Sequence, residues 1–266
     1  MSISIDPRAA VSPKARLGTN VSIGPFTIVE DGAVIGDGST VGGNALIGLG
    51  ARIGRECRVH HGAVIGHAPQ DLKYAGEPTT CEIGDRTTVR EYAVLHRGTG
   101  EGGRTVIGNN CFIMAFAHVA HDCRVGDHVI MANAAMLAGH IQVEDWVTIG
   151  GITPVHQFVS IGQHAMIGGG LRVHKDVPPY ILAGGEPLVF EGLNSIGLRR
   201  RGFTPEVIGA LDRAYAVIYR SGLNVTQALA RIRQDASLAG LREVQNVIEF
   251  AEKSKRGILP AHRVRH

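Results

Sequence analysis

No stretch of this chain approaches eighteen uninterrupted apolar residues, so no membrane-spanning helix is expected. Its first residues, MSISIDPRAAVSPKAR, lack the basic segment and apolar run of an export signal, which makes a cytoplasmic location the expectation. Aromatic residues make up only 5%, too few for ring packing to fill the core. Cysteine is scarce too: Cys57, Cys81, Cys111 and Cys123 form no CxxC pair, so reduced, buried thiols are expected rather than a disulfide framework. A net charge of +3 permits an acidic partner but falls well short of a nucleic-acid footprint. The local basic clusters, Arg199–Phe203 (RRRGF) and Lys253–Arg256 (KSKR), could hold an anionic ligand or carrier.

What the chain has in excess is glycine, 36 of 266 residues, together with a strict repeat. Stepping by six from Ile5 gives Val11, Leu17, Ile23, Val29, Ile35, Val41, Ile47, Ile53, Val59 and Ile65, then Ile83, Val89 and Leu95. The same phase returns from Ile107 through Ile113, Val119, Val125, Met131, Leu137, Val143, Ile149, Val155, Ile161 and Ile167 to Val173. Twenty-six of twenty-nine positions are aliphatic or Met, and only Asp71, Glu77 and Glu101 break the series. A period of six fits neither a helix nor a two-faced strand unless short strands alternate with corners. Three such strands close a triangular coil, the hexapeptide pattern of a parallel β-helix, with coils stacked roughly 4.8 Å apart. Twenty-nine registers predict nearly ten coils. The fifth position of each hexad is small or β-branched, and Cys57, Cys111 and Cys123 fall there, which makes them core residues rather than nucleophiles.

The protein is therefore expected to be mainly β, with a solenoid over residues 1–178 and a helical domain over 179–266. Val177-Pro178-Pro179-Tyr180 ends the repeat. Thr204-Pro205-Glu206 reads as cap, first-turn proline and first-turn acid of a helix that stops near Ser221-Gly222. Further helices are expected near Phe190–Leu198, Thr226–Ala236 and Leu241–Ser254, followed by GILPAHRVRH as a loosely held tail. Insertions near 68–82 and 97–106 should protrude as loops. The second contains GTGEGG, which lacks the lysine and following helix of a phosphate loop and reads as a turn.

His121, His140 and His156 lie in hexads that start eighteen residues apart, with His118 beside them, so four imidazoles are expected along one wall. Such a wall could take a proton during acyl transfer, with the neighbouring Asp122 as an orienting carboxylate. Zinc ligation is the chemical alternative, through His118-x-x-His121, but the other two histidines sit on successive coils and no metal is expected.

Gln70–Thr79 (QDLKYAGEPT), Ala117–Cys123 (AHVAHDC), Leu137–His140 (LAGH), Val155–Phe158 (VHQF) and Arg200–Phe203 (RRGF) together resemble the acyl carrier protein-dependent UDP-N-acetylglucosamine O-acyltransferases of lipid A biosynthesis. The resemblance spans nearly the whole chain. It implies a left-handed parallel β-helix with a C-terminal helical domain, a homotrimer with clefts between prisms, no cofactor, and UDP-N-acetylglucosamine and acyl carrier protein as partners. It further implies His121 as general base, Asp122 as its support and the Gly139 N–H as oxyanion donor. Gln70, Asp71, Lys73, His118, His140, His156 and Arg201 would contact the sugar nucleotide, Arg200 the carrier protein, and Gly169 the acyl groove, where a glycine suits a longer 3-hydroxyacyl chain. Ala68-Pro69 and the phenylalanines around Ala117 depart from the family pattern, and they leave open whether the acceptor carries a 3-hydroxyl or a 3-amino group. Other readings are a later N-acyltransferase of the same pathway, which has an additional N-terminal domain, a coenzyme A-dependent acetyltransferase, and a non-enzymatic scaffold.

Overall fold

The computed structural model describes residues 3–261. From Ser4–Ile5 to Met166–Ile167 the chain alternates strands, mostly two residues long, with tight corners. Each strand pairs in parallel with one a coil further on: Ile5 opposite Ile23, Val11 opposite Val29, Val125 opposite Val143. Successive strands fall in turn into three sheets, here A, B and C, and form a triangular prism. The second residue of each pair points inward, and nearly all of these aliphatics from Ile23 onward are fully buried. Each contributes about 1.5–3 kcal/mol of burial.

The small fifth-position residues fill the corners of the interior. Where they are polar, the next coil satisfies them: Thr27 Oγ1 donates to the Gly42 carbonyl at 2.6 Å, and Ser39 Oγ to that of Gly54 at 2.8 Å. The cysteines behave alike, with Cys57, Cys111 and Cys123 donating to carbonyls of Gly84, Gly126 and Ala138. Cys81 occupies the same position, two residues before Ile83, and is equally buried. Burial pushes the thiols of Cys81 and Cys123 up to about 12 and that of Cys111 to about 11, so none is a nucleophile at neutral pH.

The repeat keeps its phase across both insertions because they are whole multiples of six. Val59 pairs with Val89 and Val89 with Ile113, so the first loop adds twelve residues to a coil and the second six. Asp71, Glu77 and Glu101 lie in those loops, and the prism is accordingly shorter than the nearly ten coils expected: sheets B and C have eight strands each. Sheet A reaches eleven only because Ile181–Gly184 continues it in parallel and Val189–Leu193 folds back antiparallel.

That hairpin corrects the helix expected from Phe190. Phe190 pairs with Ala183, and the first helix, α1 (Ser195–Arg200), starts only after Asn194, whose side chain accepts from the Gly197 amide. Helix α2 (Pro205–Arg220) begins under the Thr204 cap, and α3 (Val225–Gln234), α4 (Ala236–Ala239) and α5 (Arg242–Lys253) pack against it. Tyr215 anchors this layer to the prism end, its buried hydroxyl donating to the Pro179 carbonyl at 2.6 Å. The expected loose tail is docked as far as described: Leu259 is buried, its amide donates to the Asp176 carbonyl, and the Leu259 carbonyl accepts from the Tyr219 hydroxyl. Residues 262–266 of that tail lie outside the described residues. Among the described residues no helix is long and apolar enough to cross a membrane.

Candidate active site

Both insertions leave the prism at one corner, between sheets B and C. The first joins Val64–His67 to Thr80–Ile83, and the second joins Val94–His96 to Arg104–Ile107. On the coils that follow, the same corner carries Asp122, His140 and Phe158, each with left-handed backbone (φ 60°, 61° and 65°). The corner fixes the direction in which these side chains leave the prism.

His121 precedes Asp122 at the turn, with Nδ1 2.8 Å from Asp122 Oδ2. A carboxylate only accepts, so Nδ1 carries the proton of the neutral ring and Nε2 keeps its lone pair. That Nε2 faces the first insertion, 3.9 Å from Asp71 Oδ2. The second insertion grips the Asp122 carboxylate: the Thr99 amide donates to Oδ1 at 3.0 Å and the Thr99 hydroxyl to Oδ2 at 2.6 Å. Burial works against ionisation of Asp122, but the hydrogen bonds from Thr99 and His121 outweigh it and hold the carboxyl below its usual range.

Gly139 lies against the face of this pair. A Cβ there would sit 2.5 Å from His121 Cε1 and 2.7 Å from Nε2, so only glycine leaves room for the ring. Its N–H has no protein acceptor among the described residues. His140 meets His121 edge to face at 5.1 Å and lies flat on Phe158 at 4.8 Å. Donor atoms of His121, Asp122 and His140 come within 4.8 Å of one another, a set different from the His118–His121 pair considered from the sequence. Hydrogen bonding already accounts for that convergence, since a metal on His121 Nδ1 would displace the bond to Asp122.

The four-histidine wall is only partly formed. His121 and His140 touch, but their places within the hexad differ by one, and His156 differs again. His156 lines an open hollow of about 750 Å³ with Arg172, His174 and Arg256. His118 stands on the face of sheet B against His96, ring centroids 5.2 Å apart, and the Nε2 atoms of both are buried without a partner. Sequence reasoning passed over His96, which sits at the strand end where the second insertion starts; its Nδ1 lies 2.7 Å from the Ala68 carbonyl.

The remaining candidates lie elsewhere. Gln70 and Lys73 are exposed on the first loop, where the Lys73 amide donates to Asp71 Oδ1 at 2.9 Å. Arg200 and Arg201 end α1, and Arg201 lies over Trp146 at 5.3 Å and beside His164. Trp146 and His164 belong to the corner between sheets C and A, whereas Gly169 belongs to the corner between A and B, close to Gly151. The candidates thus occupy all three edges of one prism.

Burial pushes His118, which also neighbours His96 and His121, down to about 4, and burial beside Arg201 does the same to His164. Both are neutral in the folded protein at pH values where an unfolded histidine, near 6.5, binds a proton. Folded stability is then complete above about pH 6.5 and falls as pH drops toward about 4. The melting temperature is expected to decline through that window, and to decline less in His164→Asn, where asparagine accepts the corner's φ of 57°. Equal slopes in both proteins would contradict this origin.

Residues 176–259 match the family described as UDP-N-acetylglucosamine O-acyltransferase, domain 2, and residues 14–49 and 104–139 match the bacterial transferase hexapeptide repeats. The acyl-[acyl-carrier-protein]–UDP-N-acetylglucosamine O-acyltransferase of Burkholderia mallei is 43% identical over 205 residues, 76% of this chain and 78% of that one. The UDP-N-acetylglucosamine acyltransferase structure from Francisella novicida superposes with a TM-score of 0.94 at 35% identity, covering 97% of this chain and 95% of that one. The Bacteroides fragilis structure gives 0.92 at 43% identity, covering 96% and 99%. With these neighbours the chain shares a left-handed parallel β-helix capped by helices. By sequence and fold together, the chain belongs to the UDP-N-acetylglucosamine O-acyltransferase family.

Proposed function

We propose that this protein transfers a 3-hydroxyacyl group from acyl carrier protein to the glucosamine 3-hydroxyl of UDP-N-acetylglucosamine, the reaction that begins lipid A synthesis. The observation that carries the reading is one corner holding the His121–Asp122 pair, a free Nε2 and the unpaired Gly139 amide, in a chain of this family.

His121 Nε2 takes the proton of the sugar hydroxyl as its oxygen attacks the thioester carbonyl. The charge that develops on the carbonyl oxygen is met by the Gly139 N–H, a contact worth roughly 10²–10³ in rate for such donors. Collapse breaks the carbon–sulfur bond, and the imidazolium returns its proton to the departing thiolate of the carrier. Asp122 keeps the imidazole in the required tautomer and supports its positive charge. No acyl-enzyme is needed, in keeping with four cysteines buried in the prism.

Lys73 and Arg201 supply positive charge for the diphosphate, and Gln70, Asp71, His118, His140 and His156 read the polar groups of sugar and base. Arg200 contacts the acidic carrier protein, and Gly169 borders the acyl groove. We assign the catalytic unit to a homotrimer. The candidates occupy three edges of one prism, so only edges of neighbouring copies can unite them. Exposed Phe26, Ile28, Phe116 and Ile152, and the fully exposed Leu72 at the loop tip, offer the apolar surface such packing would cover. The reaction takes place in the cytoplasm and uses no cofactor or metal.

The direct test incubates purified protein with UDP-N-acetylglucosamine and 3-hydroxyacyl carrier-protein thioesters of several lengths, with mass and position of attachment determined. A 3-O-acylated sugar nucleotide and released carrier thiol are expected. Transfer from acetyl-coenzyme A in preference to every carrier thioester would replace this reading with that of an acetyltransferase.

A further inference from the structure

We propose that Thr99 is a positioning residue for the transfer: it acts through Asp122 to hold the His121 ring in its working orientation. The inference rests on the reading of His121 as the base. Asp122 receives three hydrogen bonds on its carboxylate, one from His121 and two from Thr99. The bond from His121 fixes one oxygen only, which leaves a carboxylate at a prism corner free to turn. Thr99 holds both oxygens, through its amide on Oδ1 and its hydroxyl on Oδ2, and so sets the plane of the acceptor that the imidazole must meet. Threonine suits the task because β-branching restricts χ1, and the hydroxyl therefore stays aimed at Oδ2.

The insertion that carries Thr99 is itself anchored. The Gly98 amide donates to the Thr80 carbonyl at 3.1 Å, and the Gly103 amide closes the turn on the Gly100 carbonyl at 3.0 Å. The Gly100 amide donates to Glu77 Oε1 at 2.8 Å, while Glu77 Oε2 accepts from the Ala75 amide. At the other end of the first loop, Arg97 donates to the Tyr74 hydroxyl at 2.7 Å, Tyr74 donates to the Glu77 carbonyl, and the Tyr74 amide donates to the Asp71 carbonyl. One continuous set of bonds thus joins the loop bearing Asp71 and Lys73 to the carboxylate that orients the base. The six-residue insertion is the bridge between them.

Thr99→Val keeps the shape and the amide and removes only the hydroxyl. Its kcat is expected to fall about tenfold, the worth of one hydrogen bond to a charged group, with KM for UDP-N-acetylglucosamine changed by less than about twofold. Thr99→Ser should restore most of the rate, and Thr99→Ala, which adds no bulk, should match valine. If Thr99 works through Asp122, then Thr99→Val made in Asp122→Asn should change kcat by less than about twofold, a non-additivity that a loop of purely structural value would not produce. Asparagine tolerates the φ of 60° at position 122, so that background keeps its corner. Wild-type kcat in both Thr99→Val and Thr99→Ala, or the full tenfold loss repeated on Asp122→Asn, overturns the inference. Should His121→Ala and Asp122→Asn lose turnover while the Thr99 variants do not, only the role of Thr99 fails. Full activity in His121→Ala would remove the base itself.

Discussion

Turnover by His121→Ala is expected to fall by roughly 10²–10⁴, the usual contribution of a positioned general base, while the protein melts within a few degrees of wild type. The two halves of this expectation have separate physical grounds. Nε2 is the nitrogen left with a lone pair once Nδ1 has donated to Asp122, whereas His140 Nδ1 stands 3.8 Å from the same oxygen and the His60–Glu91 pair, at 3.3 Å, lies at the corner between sheets A and B. The ring lies outside the prism wall, so its removal opens no cavity among the inward aliphatics and leaves the strand pairing of His118–Val119 untouched. Steady-state rates with saturating carrier thioester, taken beside a melting curve, check both halves. A variant that stays folded and turns over like wild type would take His121 out of the chemistry. A variant that fails to fold would instead contradict the placement of the ring outside the core.

How much of this was legible in the sequence depended on whether register survived. From Ile107 onward the six-residue period placed Leu137 above Val119; that Val119 lies above Leu95 appears only in the strand pairing, because the insertions add twelve and six residues that preserve phase without adding coils. That arithmetic also brings Gly139 over His121, eighteen residues earlier. Hexads stacked eighteen residues apart do not make neighbours of side chains at different places within them: His156 is second in its hexad and His121 third, and His156 lines another hollow. Thr99 escaped because inside an insertion no register remains to count by. One signal was present: the corner position one coil below Asp122 is Gly98, three residues after Leu95, so the loop begins directly beneath the carboxylate. Phe190 was read as helical from local pattern, whereas pairing with Ala183 extends sheet A instead. Nonlocal pairing outweighs propensity over so short a segment. The docking of Leu259 rests on buried Asp176, eighty-odd residues earlier, a contact no local signal could announce.

Gly139→Ala should be nearly as damaging as removal of the base, although it adds a single methyl group. The new Cβ would lie 2.5 Å from His121 Cε1, 2.7 Å from Nε2 and 3.1 Å from Nδ1, distances at which the ring must move. The ring has little room to move, with His140 edge-on at 5.1 Å on one side and Asp122 at 2.8 Å holding Nδ1. Relief of the clash therefore breaks the Asp122 bond or turns Nε2 away from the sugar, and kcat should drop by about 10²–10³ with little change in KM, as for a misplaced catalytic group. Gly169→Ala is the useful contrast: the nearest atoms to its Cβ would be the Gly151 carbonyl oxygen at 3.1 Å and amide at 3.4 Å, at a different corner from His121, so it should alter the preferred acyl length more than the rate. Because alanine keeps the backbone N–H, the Gly139 variant also separates two roles of that residue. Loss of the Nδ1–H signal of His121 in the NMR spectrum, together with the fall in rate, assigns the effect to displacement of the ring. An unchanged signal with the same fall in rate would assign it to a shift of the amide that faces the oxyanion, and an unchanged rate would deny that the missing Cβ is needed by the ring.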